Sequence, residues 1–165
     1  MRTMKKRIIS IISCCLAFCM IMGVSVVSVK ASEEKTLIDG SYLTEDESSA
    51  GYASSKARGK YLMTGDCSIT KAGRNRVYAY ASTTANTEVN YMCTIVYVER
   101  YMEDVDAWGQ VDAWMVEEQN DYYMSTAKTI TVDRGYYYRV RANHLAGDEY
   151  PYDETASFTN GILVP

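Results

Sequence analysis

The chain has 165 residues, with 17 basic against 21 acidic side chains, 15 tyrosines, two prolines and one histidine. That length fits one domain. The formal net charge of −4 disfavours phosphate backbones and anionic membrane surfaces, so a nucleic-acid partner is not expected.

Residues 1–7 carry Arg2, Lys5, Lys6 and Arg7, and residues 8–27 form an almost unbroken apolar run. Val29-Lys30-Ala31 then puts small residues where a signal peptidase reads. This pattern predicts a secretory signal peptide over 1–31, cleaved after Ala31. The apolar run is also near the length that spans a bilayer, so a retained anchor is the alternative. Leu16-Ala17-Phe18-Cys19 is not read as a lipobox, because Phe18 is too large for its position and Cys19 lies inside the apolar run. Five of the 17 basic residues and none of the acidic ones lie in 1–31. The remainder therefore carries 12 against 21, a net charge of −9. A secreted protein with no stable membrane anchor after cleavage is expected.

Cys14, Cys15 and Cys19 leave with the signal, and Cys67 and Cys93 remain. An even pair in an exported protein can form one disulfide. It would close a loop of about 27 residues and contribute on the order of 3 kcal/mol. The alternative is two buried thiols, each facing the core on its own strand.

Residues 32–57 are polar, rich in Ser, Gly and Glu, and predict a flexible leader with a short ordered piece near Tyr52. The domain is expected over 58–165. Strand 61–70 puts Cys67 and Ile69 inward and Asp66, Ser68 and Thr70 outward, with Gly65 marking a bulge or bend. After the turn at Ala72-Gly73-Arg74-Asn75, strand 76–83 sets Val77, Ala79 and Ala81 against Tyr78, Tyr80 and Ser82. The small alanines suggest a bulky side chain, such as Trp, approaching from the facing sheet.

Strand 89–101 is apolar on both faces, Tyr91, Cys93, Ile95 and Tyr97 against Met92, Val96 and Val98, and so belongs in mid-sheet. Trp108, Val111, Trp114 and Met115 also fit one face of a short helix, but strand neighbours on both sides favour a strand over 108–116. Strand 122–132 follows, then the Asp133-Arg134-Gly135 turn. The clearest period-two segment comes next: Tyr136, Tyr138, Val140 and Ala142 alternate with Tyr137, Arg139, Arg141 and Asn143. A loop over 144–153 leads to a last strand, 155–164, with Ala156, Phe158, Ile162 and Val164 on one face. Seven strands at this spacing predict an all-β, immunoglobulin-like antiparallel sandwich. The chain closes without a sorting motif, so free secretion rather than wall attachment is expected.

The stretch from Ile130 to Asn143 resembles the E–F corner and F strand of fibronectin type III and immunoglobulin-like domains. In those families a corner tyrosine bonds back to the backbone. Tyr136 fits the fibronectin-like register and Tyr137 the immunoglobulin-like one, and Arg139 stands where an F-strand cysteine would fall. The chain also resembles a group of small uncharacterised secreted proteins of Gram-positive gut bacteria, in its signal, Tyr97-Val98-Glu99-Arg100, Trp108 and the 135–140 strand. That resemblance implies export and a single β-domain, and brings no activity.

The residues give little purchase for catalysis. His144 is the only histidine, and there is no nucleophile elbow, phosphate-cradling loop or metal-ligand spacing. Glu103, Asp104 and Asp106, with Glu117 and Glu118, read as a solvated acidic rim rather than a calcium site or glycosidase pair. No cofactor or metal is expected.

Aromatics make the better case. Trp108, Trp114, Tyr122, Tyr123 and Tyr137 cannot all face the core, and exposed rings on a sandwich stack on sugars or partner proteins. One tryptophan is expected to plug the core and the other to be partly exposed. The expectation is a non-catalytic module binding a glycan or protein at the cell surface. A small toxin-like effector is the second reading and a hydrolase the third.

Overall fold

A computed structural model describes residues 37–53 and 59–165. The predicted signal over 1–31 and the predicted leader–domain boundary at 57–58 lie outside the described residues. The fold is all-β, with no helix among the described residues. In chain order the strands are β1 (Leu37–Ile38), β2 (Ser41–Thr44), β3 (Ser48–Tyr52), β4 (Leu62–Lys71), β5 (Arg76–Val89), β6 (Tyr91–Met102), β7 (Ala107–Glu118), β8 (Asp121–Thr131), β9 (Tyr136–Gly147), β10 (Asp153–Phe158) and β11 (Gly161–Val164).

They form two sheets. One runs β1-β2-β11-β9-β6-β7, with β10 also paired to β9, and the other runs β3-β4-β5-β8. Every pairing is antiparallel except the short parallel contact of β2 with β11. The core lies between the sheets. Cys67, Ile69, Val77, Ala79, Ala81 and Ile130 from the smaller sheet meet Val96, Val98, Tyr138, Val140, Ala142, Ile162 and Val164 from the larger. Alternation along each strand puts these side chains on one face. Burying each Val or Ile contributes roughly 1.5–3 kcal/mol.

Eleven described strands replace the seven expected, for two reasons. The first is the segment read as a flexible leader, which holds β1, β2 and β3. Asp39 and Gly40 have φ of 45° and 82°, the conformation of a tight hairpin turn. The polar residues here serve the backbone: Ser41 Oγ donates to the Thr159 carbonyl at 2.7 Å, and Ser49 Oγ accepts from the Asn160 N–H at 2.9 Å. Gly51 lies so close to β10 that an added Cβ would sit 1.8 Å from the Phe158 carbonyl oxygen.

The second reason is a break in the expected strand 155–164. At this break Val140 N–H donates to Thr159 Oγ1 at 2.9 Å, and Thr159 N–H donates to the Val140 carbonyl. Phe158 and Ala156 therefore leave the face that holds Ile162 and Val164.

The disulfide is not formed. Cys67 points into the core from β4. On β6 the inward positions are Met92, Val96 and Val98, so Cys93 lies on the outer face and the larger sheet separates the two sulfurs. Both are buried free thiols.

The corner hydroxyl belongs to neither tyrosine expected from sequence. It is Tyr138 Oη that donates to the Asp133 carbonyl, at 2.9 Å. Tyr136 is exposed and Tyr137 lies on the opposite face from Tyr138.

Candidate functional site

The outer face of the smaller sheet carries an ordered grid. Pairing sets Tyr52, Asp66, Ser82 and Ser125 in one cross-strand row and Ala50, Ser68, Tyr80 and Ala127 in the next. Thr64, Thr84 and Tyr123 lie on one side of these rows, and Ser48, Thr70, Tyr78 and Thr129 on the other. Hydroxyls dominate, and Asp66 is the one charged side chain in these four rows. Each position follows from the period of two along β3, β4, β5 and β8.

A groove of about 330 Å³ runs across this face, with Asp66, Ser68 and Ser82 on its floor and Tyr52, Tyr80 and Tyr123 at its sides. Tyr52 is 73% exposed and Tyr123 43%. The Tyr80 and Tyr123 hydroxyls lie 3.0 Å apart. Their shared hydrogen bond, in which either hydroxyl can donate, shifts the two pKa values apart, Tyr80 up and Tyr123 down. Asp66 is loosely held: Thr64 Oγ1 donates to one oxygen at 3.3 Å and Ser82 Oγ to the other at 3.5 Å. Bonds this long are weak, so the carboxylate keeps acceptor capacity for a ligand.

The residues singled out from sequence are not brought together. Tyr123 belongs to the groove. Tyr122 is exposed on the neighbouring position of β8, pointing to the other face. Tyr137 lies on the outer face of the larger sheet, opposite Leu163.

Neither tryptophan is a central plug, because both sit on the edge strand β7. Trp114 packs half-buried against the core margin, its Nε1 donating to Thr126 Oγ1 at 3.0 Å. Trp108 covers the outer face of the larger sheet, and its Nε1 donates to the Ile38 carbonyl at 3.0 Å.

Beneath Trp108 lies Arg139, one of the largest fully buried side chains. Its Nε donates to Glu99 at 2.8 Å, and its Nη atoms donate to the Asp39 carbonyl, the Asp39 carboxylate and Ser41 Oγ. Arg141 holds the second Glu99 oxygen at 3.1 Å and stacks on Tyr97. This assembly fixes the β1–β2 turn to the sheet.

His144 is not in a loop. It points inward from β9, fully buried, with Nδ1 2.8 Å from Thr83 Oγ1 and Nε2 2.8 Å from Ser157 Oγ. Burial lowers its pKa to about 4. Gly65 makes room for it, since an added Cβ would lie 2.3 Å from the imidazole.

Two of the acidic side chains are engaged with tyrosines: Asp106, in the turn before β7, accepts from Tyr101, and Glu117, on β7 rather than in a loop, accepts from Tyr91. A larger depression of about 680 Å³ opens beside Arg100, Arg134 and Tyr136. Its cations are already used, Arg100 on Asp133 and Arg134 on the Pro165 carbonyl. Among the described residues no three His, Cys, Asp or Glu side chains converge on a common point.

Sequence reasoning missed Tyr52, Tyr80 and Asp66. The outward parity of Asp66, Ser68, Tyr80 and Ser82 is legible, but no local pattern gives the β4–β5 register that joins them. Tyr52 was hidden in the apparent leader.

A model of a family of unknown function, DUF6147, matches residues 31–161. The chain belongs to the DUF6147 family. That match agrees with the resemblance to an uncharacterised family. No curated protein matches the chain.

Proposed function

We propose that this DUF6147 member is an exported, non-catalytic module that binds glycans in the groove of the smaller sheet. The observation that carries this reading is the set of three tyrosine rings, on β3, β5 and β8, around a floor of Asp66, Ser68 and Ser82. Sugars present weakly apolar ring faces and a rim of hydroxyls. Exposed aromatic rings match the faces, and a carboxylate with neighbouring hydroxyls matches the rim. His144 is walled into the core, which argues against its use as a base on an external substrate.

Export rests on residues 1–31, and a Gram-positive source goes with the resemblance to secreted gut proteins. A fibronectin-like architecture is supported by the pairing of β4-β5-β8 in one sheet and β7-β6-β9 in the other, and by the Tyr138 corner bond.

The test is retention of the purified protein on peptidoglycan, mucin and arrayed oligosaccharides. Retention lost in Tyr52→Ala and Tyr80→Ala, with the circular dichroism of the parent chain, supports the reading. Retention on none of them, or retention untouched by both changes, overturns it.

A further inference from the structure

We infer that the groove selects uncharged sugars, taking one pyranose ring on edge between Tyr52 and the Tyr80–Tyr123 pair with its neighbouring hydroxyls on Asp66. This inference rests on the glycan-binding reading above. The spacing comes from the sheet. Tyr52 stands on β3 and Tyr80 on β5, with β4 between them. Two strand steps, roughly 9.5 Å in all, with the two-residue offset between their rows, put the two Cα positions roughly 12 Å apart. A ring in contact on both faces needs about 3.5–4 Å on each side, so the gap has room for a saturated ring. The volume of about 330 Å³ lies at the low end for small-ligand sites.

The floor decides what kind of ring. A flat apolar ligand would bury Asp66, Ser68 and Ser82 without partners, which is costly. A sugar edge offers hydroxyl donors to the carboxylate and both donors and acceptors to the serines. Adjacent hydroxyls can each donate to one Asp66 oxygen, displacing the long bonds from Thr64 and Ser82.

Charge then sets selectivity. Among the described residues Asp66 has no cation beside it in the grid, and Lys71, farther along β4, is already paired with Glu47 at 3.0 Å. A uronate, sialate or sulfate group would bring a second anion against Asp66 with no cation in the grid, among the described residues, to neutralise it. The chain's net charge of −4 adds a repulsion of the same sign.

The test uses the purified full chain on an array pairing neutral gluco-, manno-, galacto- and N-acetylglucosamine oligomers with uronate, sialylated and sulfated counterparts of similar length. At least one neutral oligomer is expected to bind tenfold or more tightly than its acidic counterpart. Asp66→Asn is expected to weaken that neutral binding and to narrow the ratio to threefold or less. Acidic counterparts binding as well as neutral ones, but still lost in Tyr80→Ala, would overturn the selectivity while leaving the glycan reading intact. An unchanged ratio in a folded Asp66→Asn protein would also overturn it. No binding to any oligomer would overturn both.

Discussion

The Arg139 guanidinium lies 4.5 Å from the centre of the Trp108 ring. Trp108 is thus the lid of a buried ion cluster rather than a ligand platform. Removing Arg139 leaves Glu99 buried with only Arg141 as partner, a loss on the order of 3–5 kcal/mol for a buried pair. Arg139→Ala should therefore destabilise the fold by that amount in urea denaturation. Trp108→Ala should cost about 2 kcal/mol, below the value for a fully buried Trp. Retention per folded molecule in Trp108→Ala should match the parent.

Gly65 and His144 form a second coupled pair, this time inside the sandwich. Because a Cβ at Gly65 would lie 2.3 Å from the ring, Gly65→Ala must push the imidazole off Thr83 and Ser157. A cost of about 2 kcal/mol or more is expected, since overpacking and lost hydrogen bonds add. His144→Ala vacates the space. In the double variant the two costs should fall short of additive by at least about 1 kcal/mol. Strict additivity would mean that the two residues do not meet.

The same histidine sets a pH dependence. Its pKa is about 4 in the folded chain and near 6.5 when exposed by unfolding. Between these values the unfolded chain holds a proton that the folded chain lacks. Stability therefore falls as pH drops from about 6.5 to about 4, and this contribution levels off below that. The loss is roughly 3 kcal/mol over the window. His144→Gln, which cannot titrate, should flatten that part of the profile when unfolding free energy is measured against pH.

Strands β4, β5 and β9 were legible because each has a clean period of two and turn residues at its ends, whereas β6, apolar on both faces, and β7, whose apolar spacing also fits a helix, were legible from their strand neighbours. Gly73 and Gly135 take the positive φ that their turns require. The N-terminal strands were legible only in part. Asp39-Gly40 between Ile38 and Ser41 is a hairpin signal, but the serines around it look like leader composition. Their role as partners of the 159–161 backbone depends on contacts more than a hundred residues away, which no local pattern encodes. The site failed for a related reason. Tryptophan size drew attention to β7, while the groove depends on which tyrosines share a face across four strands. That is a matter of register.

The two thiols offer a check on topology. With the larger sheet between them, Cys67 and Cys93 should remain reduced in the folded protein. A reducing agent should leave the melting temperature unchanged within 1 °C, whereas loss of a bridge of this loop length would cost about 3 kcal/mol. Burial pushes the Cys67 thiol up to about 11, so alkylation at pH 8 should be slow until denaturant is added. Mass spectrometry of the non-reduced protein should find both residues alkylated only in the unfolded state.

The groove makes its own prediction through the hydroxyl pair 3.0 Å apart. If the rings carry the binding, removing one hydroxyl costs little and removing one ring costs much. Tyr80→Phe keeps the stacking face and loses a bond with a net worth of about 0.5–1.5 kcal/mol, part of which water replaces at this exposed position. Its affinity for the best neutral oligomer should stay within about threefold of the parent. Tyr80→Ala removes the face and should lose at least tenfold, the scale of an interface anchor. Tyr123→Phe likewise keeps its ring and loses one hydroxyl of the pair, so it should also stay within about threefold. Titration calorimetry of the three variants against one oligosaccharide separates these cases. Equal losses in Tyr80→Phe and Tyr80→Ala would assign the binding to the hydroxyls rather than to the rings.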